Sequence, residues 1–290
     1  MIHKLISRQD SIDILIDKLK NKEIFTFVRY GDGDYRMMYN GSVGKVIGGH
    51  NKFLVTKEFR KELIDSYNIE DKNWLIGTSI GDMSKRSTFK KINISKLPLL
   101  QERSELLSVG CLMDSFIEDI EKFKEFSNEM CKTSTMFVCN YNHPNLEKAY
   151  GDIKVFIKTP KQNSYSDIEN IYKEVLKGLD KVDKIVLSAG QTSRIIAKRL
   201  YETSKEITVI DVGSVSDMLI MNTPIINTIP RRSHLGIYKK EILKSLMAIL
   251  GYKIKSELVH RKKSVPQRKS LNASNSSRRN MNNINKRRRK

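Results

Sequence analysis

Two acidic residues separated by one glycine, Asp32 and Asp34, close the segment Val28-Arg29-Tyr30-Gly31-Asp32-Gly33-Asp34. Two carboxylates two residues apart on glycine-flexed backbone can turn toward one hard cation, which prefers oxygen ligands and fills its other positions with water and substrate phosphate. A Mn²⁺ or Mg²⁺ ion held this way neutralises charge that builds on a departing phosphate group, and Arg29 could add a bidentate contact to phosphate. The same residues also fit an Asp-Gly turn that closes a hairpin. On this segment alone both readings stand. Either way, the pair reads as solvent-facing loop carboxylates that add little to stability.

A second segment with chemical content is Leu187-Ser188-Ala189-Gly190-Gln191-Thr192-Ser193, a strand entering a helix through glycine and hydroxyl residues. Free backbone amides at such a helix start attract anions, although Gly followed by Thr-Ser is also an ordinary helix cap. The segment is neither a Walker A sequence nor G-x-G-x-x-G, so it gives no support to ATPase or dinucleotide chemistry. Weaker candidates are Asp82 as a base beyond a strand end and Arg231-Arg232 as a diphosphate clamp, each weighed against an ordinary surface role. His50, His143 and His234 lack ligand-like spacing and are not read as metal ligands.

The elements that must position these residues follow from periodicity. Ile12, Leu15, Ile16 and Leu19 share one face of a helix over 11–20. Further helices are predicted after Thr56 as N-cap, over 115–126, from Pro144, from a Ser166-Asp167-Ile168-Glu169 capping box, and over 191–201. Strands are predicted over 24–28, 74–80, 136–140, 155–157, 184–188 and 207–212. Strands alternating with helices imply β-α-β units, hence an α/β, Rossmann-like, mostly parallel sheet with helices on both faces. In such sheets ligands lie outside the carboxyl ends of the strands, which directs attention to the loops after Val28, Ile80, Ile157, Ser188 and Val212.

The chain has 290 residues and a net charge of +20, but residues 261–290 hold twelve Lys and Arg and no acid, which leaves only +8 on the first 260. A domain over 1–260 and a disordered basic tail over 261–290 are therefore expected, because the tail has too few apolar residues to offset its chain entropy. Such a tail suits either polyanion binding, nucleic acid included, or a solubilising role. Cys111, Cys131 and Cys139 are odd in number and lack CxxC spacing, which suggests no disulfide framework or zinc site and fits a reducing compartment. No apolar run approaches the roughly 18 residues of a membrane span, so a cytoplasmic protein is expected. The sequons at Asn93, Asn272 and Asn275 read as chance matches in that setting.

Four stretches, in order, resemble the bacterial GT-D glycosyltransferases. Val28 to Asp34 is similar to that family's R-[FY]-G-D-G-E motif, Thr159 to Tyr165 to its Pro-x-x-Asn-Ala-[FY] segment, Ser188 to Ser193 to its Gly-Pro-Thr-Ala loop, and Ile210 to Gly213 to its Ile-Asp-Ile-Gly strand end. The match spans roughly 12–220. The resemblance implies metal-dependent sugar transfer from a nucleotide-sugar donor, a UDP-sugar first of all, to a hydroxyl acceptor on a glycan, protein or modified nucleic acid. It places Asp32 and Asp34 at the metal and Arg29, Gly31, Asn163, Gly190 and Thr192 near the nucleotide. Two departures stand out: Asp34 replaces the family's glutamate, and Ser214 to Leu219 lacks the histidine and glutamate that follow the family's last glycine, leaving Asp217 as the acid for acceptor chemistry. The competing classes are an adenosylmethionine-dependent methyltransferase, which needs no acid pair, and a catalytically decayed binding module with a basic arm.

Overall fold

The computed structural model describes residues 4–40, 46–47, 53–79, 105–204, 206–221, 223 and 238–250. The tail over 261–290, the sequons and the candidates His50, Asp82, Arg231, Arg232 and His234 lie outside the described residues.

Strands β1 (Lys4–Leu5), β2 (Thr26–Tyr30), β5 (Trp74–Thr78), β6 (Glu105–Ser108), β7 (Thr135–Cys139), β8 (Ile153–Lys158), β9 (Lys184–Ser188) and β10 (Thr208–Asp211) form one sheet in the order β1-β6-β5-β2-β10-β9-β7-β8. Its ladders are parallel throughout, with β2 pairing β5 on one side and β10 on the other. Val46–Ile47 (β3) and Phe53–Leu54 (β4) make a separate antiparallel pair. Because strand side chains alternate with period two, Val28 and Tyr30 enter one core while Phe25 and Phe27 enter the other. β9 divides the same way, with Ile185 and Leu187 on the first face and Val186 on the second.

The helices are α1 (Arg8–Lys20), α2 (Asp32–Tyr35), α3 (Lys57–Tyr67), α4 (Cys111–Glu118), α5 (Ile120–Met130), α6 (Pro144–Tyr150), α7 (Ile168–Lys177), α8 (Thr192–Thr203), α9 (Val215–Leu219) and α10 (Lys239–Leu250). Helices α3, α7 and α8 cover the first face and α1, α4, α5, α6, α9 and α10 the second. The α/β reading of the sequence is therefore correct.

Local differences have physical causes. The helix expected over 115–126 is two helices, broken at Asp119, whose carboxylate accepts from the Lys122 amide and starts α5 afresh; such a cap contributes about 1 kcal/mol. The capping box at Ser166 does not form. A 3₁₀ turn over Ser164–Asp167 precedes α7, and the Ser166 hydroxyl donates back to the Asn163 carbonyl instead. The glycine loop after β2 is in fact a helix start: Gly31 is extended at the N-cap, and Asp32 and Asp34 occupy the first turn of α2, which runs into a π-helical turn over Arg36–Asn40.

Candidate functional site

A cavity of about 330 Å³ opens over the carboxyl ends of the strands, where a parallel sheet exposes its loops. It collects residues from both layers. From the first come Asp32, Asp34, Asn163, Gly190, Gln191 and Arg194; from the second come Val109, Gly110, Met113, Gly213, Ser214 and Asp217. Arg29 and Gly31 also line it.

The two aspartates differ in kind. Asp32 is solvent-facing, 3.9 Å from Arg36 Nη2 one helical turn away. Asp34 is buried, and the expectation of a solvent-facing carboxylate at that position is corrected: its Oδ2 accepts from the Gly31 amide at 2.8 Å and lies 3.3 Å from Arg194 Nη2. A carboxylate at the third position of a helix satisfies an otherwise orphaned amide of the first turn and meets the positive end of the helix dipole.

Arg194, in the first turn of α8, is buried at the centre of this arrangement. Its second guanidinium nitrogen lies 3.1 Å from Asp211 Oδ2 and donates to the Gly190 carbonyl, and the group sits 5.9 Å from the Tyr30 ring centroid. Burial opposes the charge on Arg194, yet Asp211 and Asp34 more than offset it and hold its pKa above the ordinary arginine value. The cation thus joins the end of β2, the start of α8 and the end of β10. The sequence signal for it is Asp211 itself, a carboxylate at the end of the strand Thr208–Asp211 beside Val209, Ile210 and Val212, which, once buried, calls for a cation or hydrogen-bond donors.

Arg29 has the parity of Phe27 and turns toward the second layer. It is buried, donates to the Val109 carbonyl at 3.3 Å, and makes no ion pair with a carboxylate among the described residues. Its Nε has no hydrogen-bond partner there either. A desolvated guanidinium in a cavity wall is suited to an anion. Gly213 makes room for it: a Cβ at 213 would coincide with Arg29 Nη2, and the backbone there is left-handed, with φ of 49°. Both conditions call for glycine.

Asn163 is also left-handed, with φ of 48°, and its side-chain oxygen is buried without a hydrogen-bond partner among the described residues. Asn163 lines the cavity, and a side-chain amide there can exchange hydrogen bonds with a ligand. Gly190 lines the cavity with φ of 62°. In the turn that follows, the Ser193 and Arg194 amides bond to the Gly190 and Gln191 carbonyls at 3.2 Å each, so these two amides are not open to an anion.

The Thr192 side chain does not line the cavity. Its hydroxyl is buried 2.7 Å from Ser164 Oγ, which also lies 3.0 Å from the Ala189 carbonyl. Its part in any ligand contact is to hold the segment that carries Asn163. His143 caps α6, its Nδ1 accepting from the Asn145 amide at 3.1 Å, and burial lowers its pKa.

On the opposite wall, Asp217 Oδ1 accepts from the Tyr141 hydroxyl at 2.8 Å. Nearby, Ser188 Oγ and Ser216 Oγ lie 2.6 Å apart and both reach the Gly213 carbonyl. Ser188 lies in the glycine and hydroxyl segment already singled out in the sequence, whereas Ser216 and Tyr141 come from segments whose spacing gave no such signal.

Among the described residues no group of three or more His, Cys, Asp or Glu could hold a metal ion, and no helix is long and apolar enough to cross a membrane. Both aspartates line the cavity, but only Asp32 presents a solvent-facing carboxylate, Asp34 Oδ2 being bonded to the Gly31 amide and Arg194. A hard cation that takes one or two carboxylates and completes its shell with water and diphosphate, as Mg²⁺ commonly does, would have Asp32 as its open ligand.

No family model and no curated protein matches the chain. Solved structures do. One, a Streptococcus sanguinis protein described as a new glycosyltransferase (DUF1792), is 19% identical, with a TM-score of 0.55 over 74% of this chain and 83% of its own. Another, described as the domain of unknown function 1792 with a distinct glycosyltransferase fold, is 16% identical, with a TM-score of 0.57 over 74% of this chain and 79% of its own. A selenomethionine-substituted structure of the same domain type gives 15% identity and a TM-score of 0.57 over the same shares. The parallel sheet and its helical layers thus share the fold of the solved DUF1792 structures.

Proposed function

We propose that this protein is a metal-assisted glycosyltransferase that moves a sugar from a nucleotide-sugar, a UDP-sugar in the first instance, to an acceptor hydroxyl. The observation that carries the reading is a single cavity, on a fold whose solved examples are described as glycosyltransferases, that gathers Arg29, Asp32, Asp34, Asn163, Gly190 and Asp217.

Asp32 and Asp34 would hold a Mn²⁺ or Mg²⁺ ion. Bound there, the cation supplies neutralisation of the charge that develops on the leaving diphosphate. Arg29 binds a phosphate oxygen through its guanidinium, a charge-assisted contact that gains strength where water is excluded. Asn163 accepts a hydrogen bond from the nucleoside, and Gly190 lets the backbone approach the phosphates. Asp217 takes the acceptor proton as the acceptor oxygen bonds to sugar C1. The bond from C1 to the diphosphate oxygen breaks, and its electron pair leaves with the diphosphate.

A panel of nucleotide-sugars, incubated with and without Mn²⁺ and assayed for nucleoside diphosphate release, tests the reading. Metal-dependent release from a UDP-sugar is expected. Equal release with and without metal contradicts the cation's role, and no release from any nucleotide-sugar contradicts the reaction.

A further inference from the structure

Tyr141 follows β7 and packs, partly buried, against the second core. Its hydroxyl donates to Asp217 Oδ1 at 2.8 Å, and burial first, then the Asp217 charge, holds the phenol pKa well above its ordinary value. It remains a committed donor across the working pH range. A hydrogen bond from such a donor favours the ionised carboxylate and fixes its rotation about χ2.

The cavity is built in two halves. Asp32, Asp34, Asn163 and Gly190 belong to segments packed on the first face of the sheet; Val109, Gly110, Met113, Ser214 and Asp217 belong to segments packed on the second. The first half holds the acid pair and the glycine loop, the second a carboxylate with a dedicated donor behind it.

We propose that Tyr141 is a positioning residue for the Asp217 carboxylate, and that the pair marks the second half of the cavity as the place where the acceptor hydroxyl binds. The proposal rests on the glycosyltransferase reading above. Asp217 takes the proton and Tyr141 acts only through it.

Other groups do not replace Tyr141 in this role. The Cys139 thiol on β7 is pushed up to about 12 by burial, and the Tyr150 phenol on α6 is pushed well above its usual range, so both stay neutral beside Asp217. The helices packed against α9 also carry Cys111, Asp114 and Glu118 on α4 and Glu147 and Lys148 on α6. Of these, Cys111 is pushed up to about 12 by burial and Asp114 pairs with Arg8 at 3.0 Å. Arg29, Lys161 and Arg194 are cationic residues that also line the cavity.

The test compares wild type, Tyr141→Phe and Asp217→Asn in full-length protein. UDP affinity is measured calorimetrically with Mn²⁺, and hydrolysis of UDP-glucose, UDP-galactose and UDP-N-acetylglucosamine, with water as acceptor, is followed from pH 4 to 9. Both variants are expected to bind UDP within twofold of wild type. Asp217→Asn should lose at least a hundredfold in hydrolysis. Tyr141→Phe should lose about tenfold, the scale of one hydrogen bond to a charged group, and its acidic limb should move to higher pH, because loss of the donor raises the pKa of the base.

A wild-type pH profile in Tyr141→Phe, with Asp217→Asn inactive, overturns the role of Tyr141 alone. Weakened UDP binding in either variant puts the pair in the donor half and overturns the acceptor assignment. Wild-type hydrolysis by Asp217→Asn removes the base, and no hydrolysis by wild type removes the reading on which the proposal rests. Circular dichroism of both variants confirms that any loss is not a loss of fold.

Discussion

Arg194 Nη2 lies 3.3 Å from Asp34 Oδ2, and both side chains are buried. Since Arg194 also lies 3.1 Å from Asp211 Oδ2, one cation stands between two carboxylates drawn from β10 and the start of α2. Removing it leaves both acids uncompensated in a low dielectric. Arg194→Met is expected to lower unfolding free energy by about 3–5 kcal/mol, read by urea denaturation. Asp32→Ala, at a solvent-facing position, should stay within about 0.5 kcal/mol of wild type. Equal stabilities in the two variants would show that the buried triad does not hold the loops together.

Gly213 and Arg29 occupy the same small volume. Gly213→Ala meets a left-handed backbone and the Arg29 guanidinium together, so it should cost at least about 1 kcal/mol of stability and displace Arg29 from the cavity wall. UDP binding in the presence of Mn²⁺ should weaken in parallel with that of Arg29→Ala. A Gly213→Ala protein with wild-type UDP affinity would show that Arg29 does not contact the donor.

Lys184 lies at the amino end of β9, where its ammonium donates to the Thr133 carbonyl and hydroxyl at 2.7 Å each. Burial, only partly offset by Cys131 and Asp183, brings its pKa down from 10.5 to about 8. A folded pKa below the unfolded one means that the unfolded chain binds the proton more tightly. The cost is present in full below pH 8 and is relieved as pH rises from about 8 toward 10.5, so stability should gain on the order of 1–2 kcal/mol over that window after solvent screening. Urea unfolding at pH 7.5, 9 and 10 checks the slope against Lys184→Met, in which it should be absent. A parallel rise in both proteins would assign it to other groups.

Much of the sheet was legible because Phe25, Phe27 and Val28, like Ile185 to Leu187, form short apolar runs between turn residues, and because α7 and α8 have clear apolar faces. The cavity was legible through the strand-end rule: Arg29, Asp32, Asp34, Gly190 and Asn163 all reach it. The rest depended on interactions remote in sequence. Nothing near Asp34 announces that Arg194, 160 positions away, will bury it. The family resemblance put Thr192 near a ligand, but its hydroxyl is bonded to Ser164 from another segment. Lys4–Leu5 and Glu105–Ser108 are too short for alternation to reveal them.

The basic residues over 261–290 give a prediction that needs no fold. Twelve positive charges without an acid should bind duplex DNA without sequence preference. If six phosphates are neutralised, the slope of log K against log salt is about −5. Full-length protein and a chain ending at residue 261 are compared by fluorescence anisotropy at several salt concentrations. The truncated chain should lose the salt-sensitive component while its release of UDP from nucleotide-sugar stays the same; equal DNA binding by both would rule the segment out.

Calorimetric titration of UDP into the protein with and without Mn²⁺, repeated for Asp32→Ala, tests the central claim most directly, with adenosylmethionine as the competing ligand. Asp32 is the acid of the pair that faces solvent, so its removal separates metal binding from folding where Asp34→Ala would not. The expected result is UDP binding that depends on Mn²⁺ in wild type, loses that dependence in Asp32→Ala at unchanged stability, and has no counterpart with adenosylmethionine. UDP binding that ignores Mn²⁺ and Asp32 alike, or binding of adenosylmethionine in its place, would contradict the account.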